Sequence, residues 1–262
     1  MTGNQPGRAG SADHADRADR AVVVHPDADA VARATAARLL LALMDAEAVR
    51  TPVHVCLTGG TVGTRTLAEV ARSELRDLVD WTGVHLWWGD ERFVPAGDDD
   101  RNEKQARTAL IDALPIPAEN VHPLPASDEA ADLDAALTLA RADLSSHAGD
   151  GGPWPVFDVM LLGVGPDGHV ASLFPGKQSL QAMDVAAVGE TDSPKPPPAR
   201  VSLTLPVLNA SRQVWFVVAG ADKAEAVDAV LRGGSDLPAA RVSGQDVTLW
   251  LLDAAAAGQP TG

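Results

Sequence analysis

The amino-acid sequence predicts an α/β fold, a mostly parallel sheet with helices on both faces. Short runs of almost purely apolar residues recur along the chain at 22–24, 53–57, 84–88, 159–162, 214–218 and 247–252. Runs apolar at every position suit strands buried on both faces. Between them lie segments with helical spacing, such as Leu67, Val70, Ala71, Leu75 and Leu78, or Leu133, Leu137, Ala140 and Leu144. Each of these sets places its apolar residues on one helix face. Strand and helix in alternation imply a parallel sheet whose ligands bind in loops beyond the carboxyl ends of the strands.

Taken in order, residues 1–20 alternate small and charged types without an apolar period and are expected to form a mobile tail, so residues 21–262 form one domain. The run at 53–57 passes into Thr58-Gly59-Gly60-Thr61, and the run at 84–88 into Gly89-Asp90-Glu91-Arg92. The helical segment 67–78 lies between them. The run at 159–162 leads into Gly163-Val164-Gly165-Pro166-Asp167-Gly168-His169, and residues 189–199, with four prolines, read as an exposed loop. After the run at 214–218, Asp222 and Glu225 resemble a capping box opening a helix that Gly233 and Gly234 can close.

Composition narrows the function. The 262 residues carry a formal net charge of −15, which disfavours a sequence-independent grip on nucleic acid or an anionic membrane. An anionic substrate must therefore meet a local basic pocket. Cys56 is the only cysteine, so an internal disulfide and a cysteine-rich zinc site are excluded. No run of about 18 apolar residues suggests a membrane span, and the first twenty residues lack the apolar block of a secretory signal. A cytoplasmic protein is expected, a monomer or weak homo-oligomer.

Four loops carry candidate chemistry. Gly59, Gly60 and Thr61 end a strand and open a helix, where backbone N–H groups and the helix dipole can meet an anion. Asp90, Glu91 and Arg92 bring two carboxylates and a guanidinium to a strand end, the guanidinium able to give a phosphate two parallel hydrogen bonds. The acidic run 98–100 that follows reads as solvated, with Asn102 just beyond it. In the third loop Asp167 precedes His169 by two residues with Gly168 between, so an imidazole that can take a proton from water sits beside a carboxylate that can orient it. Arg200 and Lys223 complete the set, Lys223 at a helix start where a cation is disfavoured unless an anion binds. His14, His25, His54, His85, His122 and His147 read as structural, and no histidine–carboxylate spacing suggests a metal site. A Gly-x-Ser-x-Gly elbow and an intact dinucleotide fingerprint are both missing.

Together these segments resemble the 6-phosphogluconolactonase family, within a superfamily that includes glucosamine-6-phosphate deaminases and ribose-5-phosphate isomerases. The resemblance runs from about residue 21 to 253 through Gly59-Gly60, Asp90-Glu91-Arg92, Asn102, the segment from Gly163 to Pro175, Arg200 to Thr204 and Gly220 to Lys223. It implies a three-layer sugar-phosphate isomerase/deaminase-like fold and a cofactor-free hydrolase of 6-phospho-D-glucono-1,5-lactone. In that reading His169 activates water, Asp167 supports it, and Arg92, Arg200 and Lys223 hold the 6-phosphate. Gly59, Gly60, Thr61, Asp90, Glu91, Asn102 and Gly168 complete the substrate site; apart from the resemblance, backbone N–H groups of the Gly59-Gly60 turn are candidate oxyanion donors that the sequence does not place. The alternatives are a glucosamine-6-phosphate deaminase, against which Asp90-Glu91-Arg92 and the Ala171-Ser172-Leu173-Phe174-Pro175 continuation argue, and a non-catalytic sugar-phosphate sensor, for which no DNA-binding helix-turn-helix is evident.

Overall fold

The computed structural model describes residues 19–149 and 152–259. The strands are β1 (Asp19–His25), β2 (Val53–Leu57), β3 (Val84–Trp88), β4 (Asp90–Arg92), β5 (Val121–His122), β6 (Val159–Leu162), β7 (Ala187–Glu190), β8 (Arg200–Leu203), β9 (Gln213–Val218) and β10 (Val247–Asp253). The helices are α1 (Ala28–Glu47), α2 (Gly60–Arg72), α3 (Asn102–Ala109), α4 (Leu133–Ser146), α5 (Leu205–Asn209) and α6 (Ala224–Arg232). Seven strands form a fully parallel sheet in the order β1-β10-β9-β6-β2-β3-β5. All six apolar runs seen in the sequence lie in it. β4, β8 and β7 form a separate antiparallel sheet.

Side-chain alternation divides the core in two. Val55, Leu57, Leu86, Trp88, Leu161, Trp215 and Val217 face one way and pack with α1, α2 and α3. Cys56, Trp87, Met160, Leu162, Val214, Phe216 and Trp250 face the other and pack with α5 and α6. A strand residue buried on such a face contributes roughly 1.5–3 kcal/mol, so helices on both sides are what the uninterrupted apolar strands require.

Three local expectations are corrected. Asp19 and Arg20, assigned to the tail, belong to β1, paired in register with Val247 and Thr248; the rest of that tail lies outside the described residues. The helical segment through Leu78 breaks after Arg72, because the Ser73 side chain accepts the Leu75 N–H and starts a separate 3-10 turn at Glu74–Leu78. No capping box forms at Asp222, whose carboxylate pairs with Lys223 and leaves α6 without a side-chain cap, although Gly233 does close α6 with a φ of 84°.

Strand order places the site. From β2 the chain winds outward through β3 to β5, and from β6 it winds the other way through β9 to β10. The crevice where the winding reverses therefore opens between the carboxyl ends of β2 and β6, the place where such sheets bind ligands. The Thr58 hydroxyl accepts the Gly163 N–H at 3.2 Å and ties the two loops together there.

Candidate active site

A cleft of about 620 Å³ lies over this crevice, lined by the loops after β2, β6 and β9 and by β4 and β8. Nine of the twelve residues read from sequence line it, namely Gly59, Gly60, Thr61, Asp90, Arg92, Asn102, His169, Arg200 and Lys223. Its volume lies within the range of small-molecule sites.

The loop after β6 folds back on itself through Gly165 N–H to His169 C=O and Gly168 N–H to Gly165 C=O, both 2.9 Å. That turn brings the Asp167 carboxylate to His169 Nδ1 at 2.5 Å. A carboxylate only accepts, so Nδ1 carries the proton and the lone pair of Nε2 is left for chemistry. Burial pushes the Asp167 carboxyl up, but the hydrogen bond and charge of His169 outweigh it and hold the group below its ordinary range. The Phe174 ring backs the imidazole at a centroid distance of 4.5 Å. Gly165 makes the pair possible, since a Cβ there would lie 2.0 Å from His169 Nδ1.

The cation set comes from the small sheet. Arg92 and Arg200 are register partners, as are Asp90 and Ser202, so all four project from one face of the β4–β8 ribbon. Arg200 donates from Nε to the Pro197 carbonyl at 2.8 Å and from Nη2 to the Lys195 carbonyl at 3.0 Å, anchoring the proline-rich loop. Burial, then the nearby Arg92 charge, lowers the Arg200 pKa. Arg92 donates to the Asn102 side-chain oxygen, while its buried Nε has no partner among the described residues. Asn102 donates to the Asp90 carbonyl at 2.9 Å and so braces the arginine against the strand. Gly59 permits that close approach, since a Cβ there would lie 1.9 Å from the Asn102 oxygen. Lys223 enters from the β9 loop paired with Asp222, its loop fixed by Asp253, which accepts the Gly220 N–H at 3.1 Å.

Glu91, Asp167 and Gly168 do not line the cleft. Glu91 projects from the opposite face of β4, fully buried, where its carboxylate accepts the backbone N–H groups of Arg92, Asn102 and Glu103, each at 2.8 Å. It closes the amino end of α3, and the phase of β4 turns it away from the cleft, where sequence reasoning places it among the substrate contacts. Burial pushes its carboxyl up against the pull of Arg101 and those N–H groups. Gly168 turns the loop at φ +77°, and its carbonyl accepts the Ala239 N–H at 3.0 Å. The proline-rich segment is also more than an exposed loop: its first residues belong to β7, and Lys195 and Pro196 reach the cleft.

Sequence reasoning missed Arg65, Ser172 and Lys195, all in the lining. Arg65 falls one helical turn after Thr61, a spacing that could have found it. Ser172 donates to Asp90 at 2.5 Å and its N–H donates to Ser202 Oγ at 3.1 Å, tying the histidine loop to the cation ribbon. Ala171 beside it has a φ of 49°, unusual for a residue other than glycine. Lys195, between prolines, carries no local signal. The lining thus holds five cations, Arg65, Arg92, Lys195, Arg200 and Lys223, against two carboxylates, Asp90 and Asp253. In a chain of net charge −15 that excess is a local basic pocket.

The profile of the family described as glucosamine-6-phosphate isomerases/6-phosphogluconolactonase matches residues 26–250. A 6-phosphogluconolactonase of Streptomyces coelicolor is 48% identical over 91% of this chain and 94% of its own length. One of Mycobacterium tuberculosis is 45% identical over 90% of this chain and 96% of its own. The solved structure of 6-phosphogluconolactonase from Trypanosoma brucei superposes with a TM-score of 0.81 at 28% identity, covering 92% of this chain and 99% of that one.

Proposed function

The chain belongs to the glucosamine-6-phosphate isomerase/6-phosphogluconolactonase family, and we propose that it is the lactonase of the pair, hydrolysing 6-phospho-D-glucono-1,5-lactone to 6-phosphogluconate in the oxidative pentose phosphate pathway. The observation that carries this reading is that one cleft holds both a carboxylate-backed imidazole and a cluster of cations. The first suits activation of water, the second a phosphate. The lactonase relatives support the same choice.

In this reading the 6-phosphate sits against Arg92, with Arg200 and Lys223 adding charge, and the lactone carbonyl reaches His169. Nε2 takes a proton from water as its oxygen bonds to C1. The carbonyl becomes an oxyanion, for which the N–H groups at the amino end of α2, from Gly59 to Thr61, are the donors. When the oxyanion collapses, the bond from C1 to the ring oxygen breaks and the imidazolium returns its proton to that oxygen. The product is the open-chain acid, which ionises in water, and the neutral imidazole is regenerated. Asp167 holds the ring and stabilises its transient positive charge without contacting substrate. No step calls for a cofactor.

The test is to give purified protein freshly prepared 6-phosphogluconolactone and, separately, glucosamine-6-phosphate, following acid and ammonia release against buffer. Acid release above the spontaneous rate with no ammonia is expected. Ammonia release with no acceleration of lactone opening would replace this reading with the deaminase, and neither activity would leave a binding protein.

A further inference from the structure

At the other end of the sheet from the cleft, near the amino ends of β2 and β3, four imidazoles crowd together. His54 and His85 are register partners on β2 and β3, and Trp87 and His122 are partners on β3 and β5. Alternation therefore sends all four side chains to one face. The carboxyl end of α4 closes over them with Asp143 and His147, one helical turn apart. His85 Nδ1 and His122 Nε2 are 2.8 Å apart, while His122 Nδ1 meets the Asp143 carboxylate at 3.1 Å. His147 Nδ1 lies 3.3 Å from that carboxylate and 3.0 Å from the Asp143 carbonyl oxygen. One ring nitrogen from each of His85, His122 and His147 lies within 4.8 Å of the others. Trp87 stacks on His122 at a centroid distance of 3.8 Å and walls one side, whereas the side chains of His147 and Asp143 are 28% and 38% exposed and give solvent access.

We propose that His85, His122 and His147 bind a borderline divalent transition metal, Zn2+ foremost, with Asp143 as the carboxylate that orients His122 behind it. Imidazole nitrogen is the donor such ions favour over Mg2+ or Ca2+. With bonds of about 2.1 Å, a tetrahedral zinc holds its ligand nitrogens about 3.4 Å apart. One pair here is 2.8 Å apart and none of the three is separated by more than 4.8 Å, so only small adjustments separate the three rings from that spacing. The Asp143 contact places the His122 proton on Nδ1 and turns the Nε2 lone pair toward His85, the carboxylate–histidine arrangement that supports metal ligands. Three protein ligands leave a fourth position for water. Spacing along the sequence gives no sign of this cluster, because its residues come from three elements that only strand register and helix docking unite. A bound ion would fasten the two-residue edge strand β5 to β3 and α4, through residues that do not line the hydrolytic cleft. The inference is independent of the lactonase reading.

The test uses tag-free full-length protein stripped with chelator and titrated with Zn2+ by calorimetry, with thermal unfolding followed in parallel. One equivalent should bind and raise the Tm, and Co2+ in its place should give the visible absorption of a four-coordinate site. His147→Ala, just past the end of α4 and 28% exposed, should weaken binding by about a hundredfold or more while still unfolding in a single cooperative transition, and Asp143→Asn by about tenfold, as loss of an orienting carboxylate does. His169→Asn should bind Zn2+ as the parent does, separating this site from the cleft. Absence of stoichiometric Zn2+ binding, or equal affinity in His147→Ala and the parent, would overturn the assignment and leave the cluster a hydrogen-bonded network only.

Discussion

Arg92 and Arg200 stand directly opposite each other across the antiparallel pair β4–β8, two guanidinium groups on one face of a ribbon. Like charges at opposed positions destabilise a sheet, and the lowered pKa of Arg200 records the strain of burial and of that neighbour. Their roles differ. Arg200 directs its donors to carbonyl groups of the proline-rich loop, whereas Arg92 keeps a buried Nε without a partner among the described residues. An anion lying between them would satisfy Arg92 and cancel the repulsion.

Arg92→Met should therefore weaken binding of phosphorylated lactone by about 10- to 150-fold, the worth of one charge-assisted hydrogen bond of roughly 1.5–3 kcal/mol, while leaving the Tm equal to or above that of the parent. Hydrolysis of unphosphorylated gluconolactone should change little. Arg200→Ala, in contrast, should lower the Tm because it strands backbone carbonyls. Comparing KM for the two lactones and the Tm of each variant checks both statements, and an equal loss on both lactones would remove Arg92 from phosphate recognition.

Gly165→Ala tests how tightly the loop is built around the imidazole. The new Cβ would sit 2.0 Å from His169 Nδ1, so the ring must leave its place beside Asp167. Turnover should fall by about a hundredfold or more, the scale of a displaced general base, with phosphate-dependent KM nearly unchanged. Parental kcat in this variant would show that the ring position is not critical.

Legibility followed the range of the interactions. Strands of the large sheet announce themselves because burial on both faces demands an apolar residue at every position, and the cleft loops because glycines and charges cluster right after those strands. β5 is two residues long and has no pattern to read. The phase of β4 was invisible too: nothing local says that Glu91 turns inward while Asp90 and Arg92 turn to the cleft, since that is set by pairing with β8. Lys195 and the four-histidine cluster are likewise products of chain segments meeting from far apart.

That cluster makes a prediction about acid stability. His54 is held to about 3, first by burial and then by His85, His147 and His122 around it, with the Trp87 indole N–H donating to its Nδ1 at 3.1 Å and Asp143 the nearby carboxylate of the cluster. Its ordinary value is 6.5, so below that pH the unfolded chain takes up a proton that the folded one refuses. Folding stability is complete above pH 6.5 and declines as pH falls toward 3, at up to about 1.4 kcal/mol per unit from this one residue. His54→Gln, which can still accept from Trp87, should show a shallower decline. Urea unfolding from pH 7 to 4 in the presence of chelator measures it, and identical slopes would clear His54 of the effect.

The decisive prediction concerns His169 and Asp167. If Nε2 takes the proton from water, His169→Asn, which keeps a polar side chain but offers no base, should lose about a hundred- to ten-thousand-fold in kcat while the Tm and binding of 6-phosphogluconate persist. Asp167→Asn should cost less, because the amide can still contact the ring but does not stabilise its positive charge. The two variants should also part company in acid. The Asp167 carboxyl is held below its ordinary value by His169, so its contribution to stability is present above about pH 4 and is lost only as pH falls through that lowered value. It therefore remains ionised on mild acidification, and the carboxylate that orients the ring is kept there. A structural role for His169, filling the turn after Gly168, leads to the opposite pattern: a lowered Tm with turnover per folded molecule retained. Initial lactone hydrolysis and thermal unfolding measured on one His169→Asn preparation separate the two, and a well-folded variant with near-parental turnover would remove His169 as the base.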